Sequence, residues 1–319
     1  MNTWLDKKNI IGLAPMDGYT DAPFRYLIAS IAKPDVIFTE FVNVDGIVVA
    51  FKRLQEDFVY DEIERPIIAQ LFGSKPENFY KATKTVIDMG FDGVDINMGC
   101  PQKKVVKRSE GAGLIKNPEL AKEIVMAVKK AISESNRKIT LSIKTRTGYE
   151  VPITREWIST LASTKPDLIT LHGRTLKQMY SGVADWEEIK IANGICKKNG
   201  VKFFGNGDIE SIDEANEKIK KYDLDGVLIG RAVFGNPWLF CAEQKLITKN
   251  QKLKMCLIHT KIQMKIFPNK SFIAMRKHFA AYINSFDFAR DLRIKVLQAN
   301  TYEEVERIIN EELENEDEK

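Results

Sequence analysis

Eight short apolar runs recur along the chain with helix-like stretches between them, and that alternation restricts the fold more than any composition figure. In order they are "NIIGLAP", "DVIFTEF", "PIIAQLF", "GVDINM", "ITLSIKT", "DLITLHG", "KFFGNGD" and "DGVLIGR". Each is rich in Ile, Val, Leu or Phe and short, as expected of a strand buried on both faces of a parallel sheet. Segments between them, such as "SKPENFYKATKTVIDMG", "NPELAKEIVMAVKKAIS" and "SIDEANEKIKKYD", carry helical spacing. Ser74 ahead of Lys75-Pro76, and Asn117 ahead of Pro118, read as helix starts. Eight βα units predict an α/β fold, a closed parallel (β/α)8 TIM barrel. The competing open, doubly wound sheet expects a Gly-rich fingerprint after its first strand, and "APMDGYTDAPFR" contains no G-x-G-x-x-G.

After "GRAVFGNPWLF" the pattern changes: "NQKLKMCLIHTKIQMKIF", "SFIAMRKHFAAYINSF" and "DFARDLRIKVLQA" read as amphipathic helices with no strand among them. The reading therefore assigns 1–241 to the barrel and 242–319 to a small all-α domain. From Gln244 through Phe286 there is no Asp or Glu, while Lys245, Lys249, Lys252, Lys254, Lys261, Lys265, Lys270, Arg276 and Lys277 fall inside. A solvated helix face usually mixes both signs, so this stretch points to a polyanionic partner. The alternative is a basic surface that offsets the acidic tail "TYEEVERIINEELENEDEK". No run approaches the ~18 apolar residues of a membrane span, and "MNTWLDKKNI" lacks a secretory apolar core. Cys100, Cys196, Cys241 and Cys256 have neither metal-ligand spacing nor disulfide-scaffold density. The expectation is a cytoplasmic protein with reduced thiols, no metal and no membrane partner.

In a barrel, chemistry gathers at the C-terminal ends of the strands. Those ends carry Pro15-Met16, Thr39-Glu40, Gln70, Asn97 with Cys100 just beyond, Lys144 and Arg146, His172, Asn206-Gly207-Asp208, and Gly230-Arg231. Any one of these has a bland explanation as a solvated or hydrogen-bonded structural residue. Polar residues closing every strand do not, because strands buried on both faces tolerate them only with partners. Glycines after strands seven and eight let backbone N–H groups approach a phosphate, and Arg231 adds a charge-assisted contact. With Gln70, Lys144 and His172 left to surround a ring, the set suits flavin mononucleotide (FMN), whose reduced ring is stabilised by a cation.

Taken together, "APMDGYTDAPFR", "TEFV", "QLFGSKPENF", "VDINMGCPQKKV", "IKTRTGY", "LITLHGRT", "FFGNGDI", "GVLIGRAVFGNPWLF" and "MRKHF" resemble the tRNA-dihydrouridine synthase family, in that family's order, from about Ile11 to at least Phe279. The resemblance implies an FMN-binding barrel with a helical C-terminal domain. It implies an oxidoreductase that uses NADPH to reduce the C5=C6 bond of particular uridines in tRNA. By position, the flavin contacts are Pro15, Met16, Asp17, Gln70, Lys144, His172, Asn206, Gly207, Asp208, Gly230 and Arg231. Asp17 stands where many members have a small residue, so only its backbone contact carries over. Cys100 becomes the catalytic acid and Asn97 holds the uracil. Lys103, Lys104, Arg146, Arg174, Arg276 and Lys277 fall on the RNA side.

Such a reduction needs a hydride at C6 and a proton at C5 from the opposite face. A thiol of ordinary pKa, ~8.5, is protonated at neutral pH and can give that proton. Gly99 and Pro101 would bend the chain so that the thiol faces the substrate, and Gly111 and Gly113 would let "QKKVVKRSEGAG" move as a lid. Nearby cations lower a thiol pKa, so Lys103, Lys104, Lys107 and Arg108 are expected to face RNA phosphates instead. The barrel half alone fits equally a flavin enzyme acting on a free pyrimidine, as dihydroorotate dehydrogenases do. A non-redox RNA-binding protein on the same scaffold is a third reading, against which an intact Cys100 argues. Nothing in the chain demands more than a monomer.

Overall fold

A computed structural model describes residues 3–241 and 246–317. Their backbone contacts form two compact units, one drawn from Met1–Asp17 and Pro34–Gly230, the other from Gly18–Lys33 and Arg231–Lys319. The boundary expected after Cys241 adjoins residues 242–245, which lie outside the described residues, as does the start of the acid-free stretch at Gln244 and Lys245.

The first unit is a closed barrel of eight parallel strands in sequence order, each of the eight apolar runs supplying one. They are β1 (Ile10–Leu13), β2 (Ile37–Asn43), β3 (Ile67–Phe72), β4 (Gly93–Met98), β5 (Thr140–Arg146), β6 (Leu168–His172), β7 (Lys202–Asn206) and β8 (Gly226–Ile229). β1 pairs with both β2 and β8, which closes the ring and leaves no exposed edge. One end is packed with Ile10, Val36, Phe38, Ile68, Leu168, Phe204 and Leu228, beneath which Leu5 and Trp4 close the base. Trp4 donates from Nε1 to Thr140 Oγ1 at 3.0 Å, so its one polar atom is satisfied there. Farther along the strands the side chains turn polar, and the register sets Gln70 beside Asp95, Asp95 beside Ser142, Asn97 beside Lys144, and His172 beside Asn206.

The helices between strands start where local chemistry satisfies their free N–H groups. Asn117 accepts from Leu120 N at 3.2 Å to open Pro118–Ser133. Ser211 accepts from Glu214 N at 3.1 Å to open Ile212–Tyr222, which Asp223 ends in the left-handed conformation. Ser74 does not cap the helix that follows it: Pro76–Asp88 begins after Lys75 with no side-chain cap, and Pro76 at its first position spares one donor.

The second unit is all-α. Helices Ala22–Ile31, Lys249–Ile266, Arg276–Tyr282, Ala289–Gln298 and Tyr302–Asp317 share a core that includes Leu27, Leu253, Cys256, Phe279, Val296 and Ile309. The helix after β1 groups with the C-terminal helices because Leu27 belongs to that core. Among the described residues no helix is long and apolar enough to cross a membrane.

Candidate active site

The chemistry-bearing side chains of the first unit meet at the C-terminal ends of β3 to β7. Asn97 organises the turn that follows β4, where Oδ1 accepts from Gly99 N at 3.0 Å and from Cys100 N at 2.8 Å. Arg146 at the end of β5 secures the same turn by donating from Nε to Gly99 O at 2.8 Å. Cys100 is thereby held at the barrel mouth with only 6% of its surface exposed. Gly111 packs on it: a Cβ there would lie 2.9 Å from Cys100 O and 3.0 Å from Cys100 Cβ, and its φ of +56° suits glycine. Gly113 likewise leaves room for Val106 O, 2.9 Å from where its Cβ would stand. Both glycines thus pack closely within the 3-10 helix Gly111–Lys116, whose residues 111–115 are buried.

Burial pushes the Cys100 thiol above its ordinary value, and the Asp17 charge adds to that. The Gln102 N–H, Arg146 and Lys144 act the other way. The exposed Asp17 carboxylate is tied to this loop, accepting from Gln102 Nε2 at 2.8 Å. Its side chain therefore bears on the thiol, where the sequence reading gave it a backbone contact only. Lys103 and Lys104 are exposed on the short helix Lys103–Val106, and Lys107 and Arg108 are exposed after it. The cations acting on the sulfur are Arg146 and Lys144 instead.

Beneath this turn lies a polar layer whose central member, Asp95, the sequence reading passed over. Asp95 is fully buried and accepts from Gln70 Nε2 and from Ser142 Oγ, both at 2.6 Å. Burial raises its pKa to about 6, with the two hydrogen bonds and Lys144 opposing. An acid whose pKa rises on folding holds its stabilising contribution at low pH and loses it as pH climbs through the folded value. Between its ordinary 3.8 and about 6, the buried charge comes to cost on the order of 3 kcal/mol at neutral pH. Lys144, at the end of β5, is pushed down to about 8 by burial and by Arg146, with Asp95 supporting its charge.

At the ends of β6 and β7, Arg174 is 2% exposed and fully committed to the chain. It donates to both Asp208 oxygens at 2.9 and 2.6 Å, to Gly182 O at 2.6 Å and to Ser181 O at 3.2 Å, and touches His172 Nε2 at 3.3 Å. Asp208 Oδ2 also accepts from Ala184 N. This pair locks the loop after β6 onto the end of β7, so the Asp208 carboxylate and the Arg174 guanidinium spend their polarity on each other. Arg146 is similar: buried, lowered to about 10 by that burial, and bonded to the Thr175 and Met179 carbonyls as well as Gly99. Both were expected on the RNA side, and both instead organise the site's frame. Asn206 donates from Nδ2 to Leu228 O at 2.8 Å.

Fit to a phosphate-bearing ring is tested at the glycines. Gly207 has φ +133° and its Cβ would strike Ala184 Cβ at 2.6 Å, which the chain alone explains. Gly230 is different. Its nearest neighbours, Met16 Sδ at 3.5 Å and Ala14 Cβ at 3.9 Å, leave space, and its φ lies outside the left-handed region. Nothing in the chain requires glycine there, and a side chain would fill the cradle. With Pro15 and Met16 half-buried beside it and Lys144 supplying a partly desolvated cation, the residues present fit the group.

A family model described as dihydrouridine synthase (Dus) matches residues 12–318. The chain belongs to that family. A probable tRNA-dihydrouridine synthase of Staphylococcus aureus strain COL is 31% identical over 306 residues, covering 94% of this chain and 92% of that protein. Probable tRNA-dihydrouridine synthase 2 of Bacillus subtilis strain 168 is 30% identical over 308 residues, with the same coverage. Among solved structures, histamine dehydrogenase from Rhizobium sp. 4-9 matches with a TM-score of 0.54 at 16% identity, over 81% of this chain but only 49% of that one. That likeness concerns the fold alone.

Three expected site residues of this Dus chain fall in the second unit. Arg231 is exposed at the start of the 3-10 helix Arg231–Val233. Arg276 reaches Asn300 Oδ1 at 3.3 Å, and Lys277 sits 5.3 Å from the centroid of the Tyr19 ring. Phe279 beside them is fully buried core and presents no stacking surface. The same unit gathers a buried trio that no sequence motif signalled, Asp21, His259 and His278, with ligand atoms within 4.8 Å of one another. Burial keeps both imidazoles neutral, His259 down to about 3, and their Nε2 atoms lack hydrogen-bond partners. Burial raises the Asp21 carboxyl, against the charges of Lys277, Arg25 and Lys270. Along the helix Lys249–Ile266, Lys249 pairs with Glu312 at 2.7 Å, as the offsetting alternative required. Lys254, Lys261 and Lys265 are exposed on it.

Proposed function

We propose that this protein is a tRNA-dihydrouridine synthase that reduces the C5=C6 bond of uridines in tRNA, with FMN as resident cofactor and NADPH as electron donor. The observation that carries the reading is the Cys100 thiol, buried, held protonated, and fixed by two backbone hydrogen bonds to Asn97 at the mouth of the barrel. FMN, when bound, supplies the hydride that adds to uracil C6. Cys100 Sγ gives its proton to C5, and the transient thiolate is stabilised by the Arg146 and Lys144 charges acting on it. Lys144 would offer the cation that the reduced ring needs, and backbone N–H groups at Gly207 and Gly230 would hold its phosphate. A base inside folded tRNA must leave its stack to reach such a pocket. The exposed Lys254, Lys261 and Lys265 favour RNA over a free pyrimidine, which has no phosphates to balance them.

The test is single-turnover reoxidation of the NADPH-reduced protein by unmodified tRNA, with uracil and orotate as comparison substrates. tRNA should reoxidise it and gain dihydrouridine, and the free bases should not; reoxidation by orotate alone would move the protein to the free-pyrimidine class. The pH profile adds a second check. A proton donor works only while protonated, and burial shifts the Cys100 thiol upward, so the rate should hold through neutrality and begin to fall where Lys144 loses its charge, near pH 8. A descending limb that already sets in below neutral pH, under both the thiol and Lys144, contradicts this role for Cys100.

A further inference from the structure

We propose that Asp95 is a positioning residue that sets the direction of two amides and so holds the turn presenting Cys100. An amide side chain can turn either way, its oxygen and nitrogen being nearly the same size. Here both ends of a hydrogen-bonded chain remove that freedom. At one end stand the Gly99 and Cys100 N–H groups, which only donate, so Asn97 must present Oδ1 to them. Asn97 Nδ2 then points back to Gln70, whose Oε1 accepts it at 2.9 Å. Gln70 Nε2 is left facing the other end, the Asp95 carboxylate, which only accepts. Ser142 donates to the second Asp95 oxygen. Every member is buried, with Asp95 at 0%, Gln70 at 1% and Asn97 at 7% exposure, so bulk water does not compete for these hydrogen bonds.

The acceptor-only character explains why a carboxylate is kept in a place where its charge is costly. An Asn at 95 keeps the shape, but its own NH2 can face Gln70 and allow both amides to reverse. An Ala leaves Gln70 Nε2 without a partner. A reversed Asn97 would meet the Cys100 N–H with its own N–H, and the turn would open.

The inference rests on Cys100 as the proton donor of the proposed reaction, and its test separates the two claims. The first readout needs no substrate: the rate at which iodoacetamide alkylates Cys100 in the full-length protein at pH 8, followed by peptide mass spectrometry. Opening the turn exposes a thiol that is now 6% accessible, so Asp95→Ala should alkylate on the order of 10-fold faster, in the range seen when outer-shell partners are removed. Asp95→Asn should fall between it and wild type. The second readout is single-turnover reoxidation by tRNA, which should fall about 100-fold in Asp95→Ala, as for a misplaced reacting group, and be partly restored by Asn. If the Ala variant does not fold, Gln70→Leu cuts the same chain one link nearer the turn and should speed alkylation equally. Alkylation at the wild-type rate in both Ala and Leu variants overturns the proposal. Loss of the same size in Asn and Ala also overturns it, since charge and not direction would then be at work. Faster alkylation in a protein whose wild type makes no dihydrouridine upholds the positioning role and removes the reaction.

Discussion

Cys100→Ala should abolish dihydrouridine formation while leaving reduction of the protein's flavin by NADPH in place. The loss expected for a single general acid is about 10²–10⁴-fold in the tRNA-dependent step. The substitution removes one buried sulfur from a site whose frame is held by other atoms: the turn is fixed by Asn97 Oδ1 and Arg146 Nε, which bond the backbone and not the thiol. The variant should therefore fold and bind as before and fail only at proton delivery. Stopped-flow absorbance resolves the two half-reactions. Unchanged reoxidation by tRNA would remove Cys100 from the chemistry, whereas a matching loss in NADPH oxidation would place it at the flavin instead.

The second large effect concerns stability. Arg174→Met should lower the free energy of unfolding by about 3 kcal/mol or more, the loss typical when one member of a buried ion pair is removed. The guanidinium is 2% exposed and bonds Asp208, Gly182 and Ser181 at once. Without it the Asp208 carboxylate keeps only the Ala184 N–H among these partners. Against a typical total of 5–15 kcal/mol, such a loss moves the urea midpoint far enough to read directly. Asp208→Asn leaves the 2% exposed guanidinium without a counter-charge, so it should cost a comparable amount. A change below about 1 kcal/mol in Arg174→Met, the range of solvated pairs, would mean that the pair is not the lock described here.

The barrel was legible because strands buried on both faces need uninterrupted apolar runs, and the polar residue that closes each run marks the functional end. Cys100 stood out for the same reason, in a bend with no structural need for a thiol. What sequence could not give is whom a buried cation faces. Arg146 and Arg174 look like RNA contacts because arginine suits phosphate, yet each is bonded to carbonyls or a carboxylate supplied by distant segments. Asp95 did leave a signal in "GVDINM": a carboxylate two residues before Asn97 shares its face of the strand, and a charge inside a doubly buried run requires partners. The assignment of 1–241 whole to the barrel took in the helix Ala22–Ile31, and only the packing of Leu27 shows the company that helix keeps. The Asp21, His259 and His278 trio is assembled from three separate segments, so no local spacing announces it.

The role of Cys100 in tRNA reduction is tested most directly by mapping dihydrouridine in tRNA from cells with the gene deleted, then restored as wild type or as Cys100→Ala. That role predicts that particular uridines lose the modification on deletion, regain it with the wild-type gene, and remain unmodified with the variant. An unchanged dihydrouridine map after deletion would contradict it.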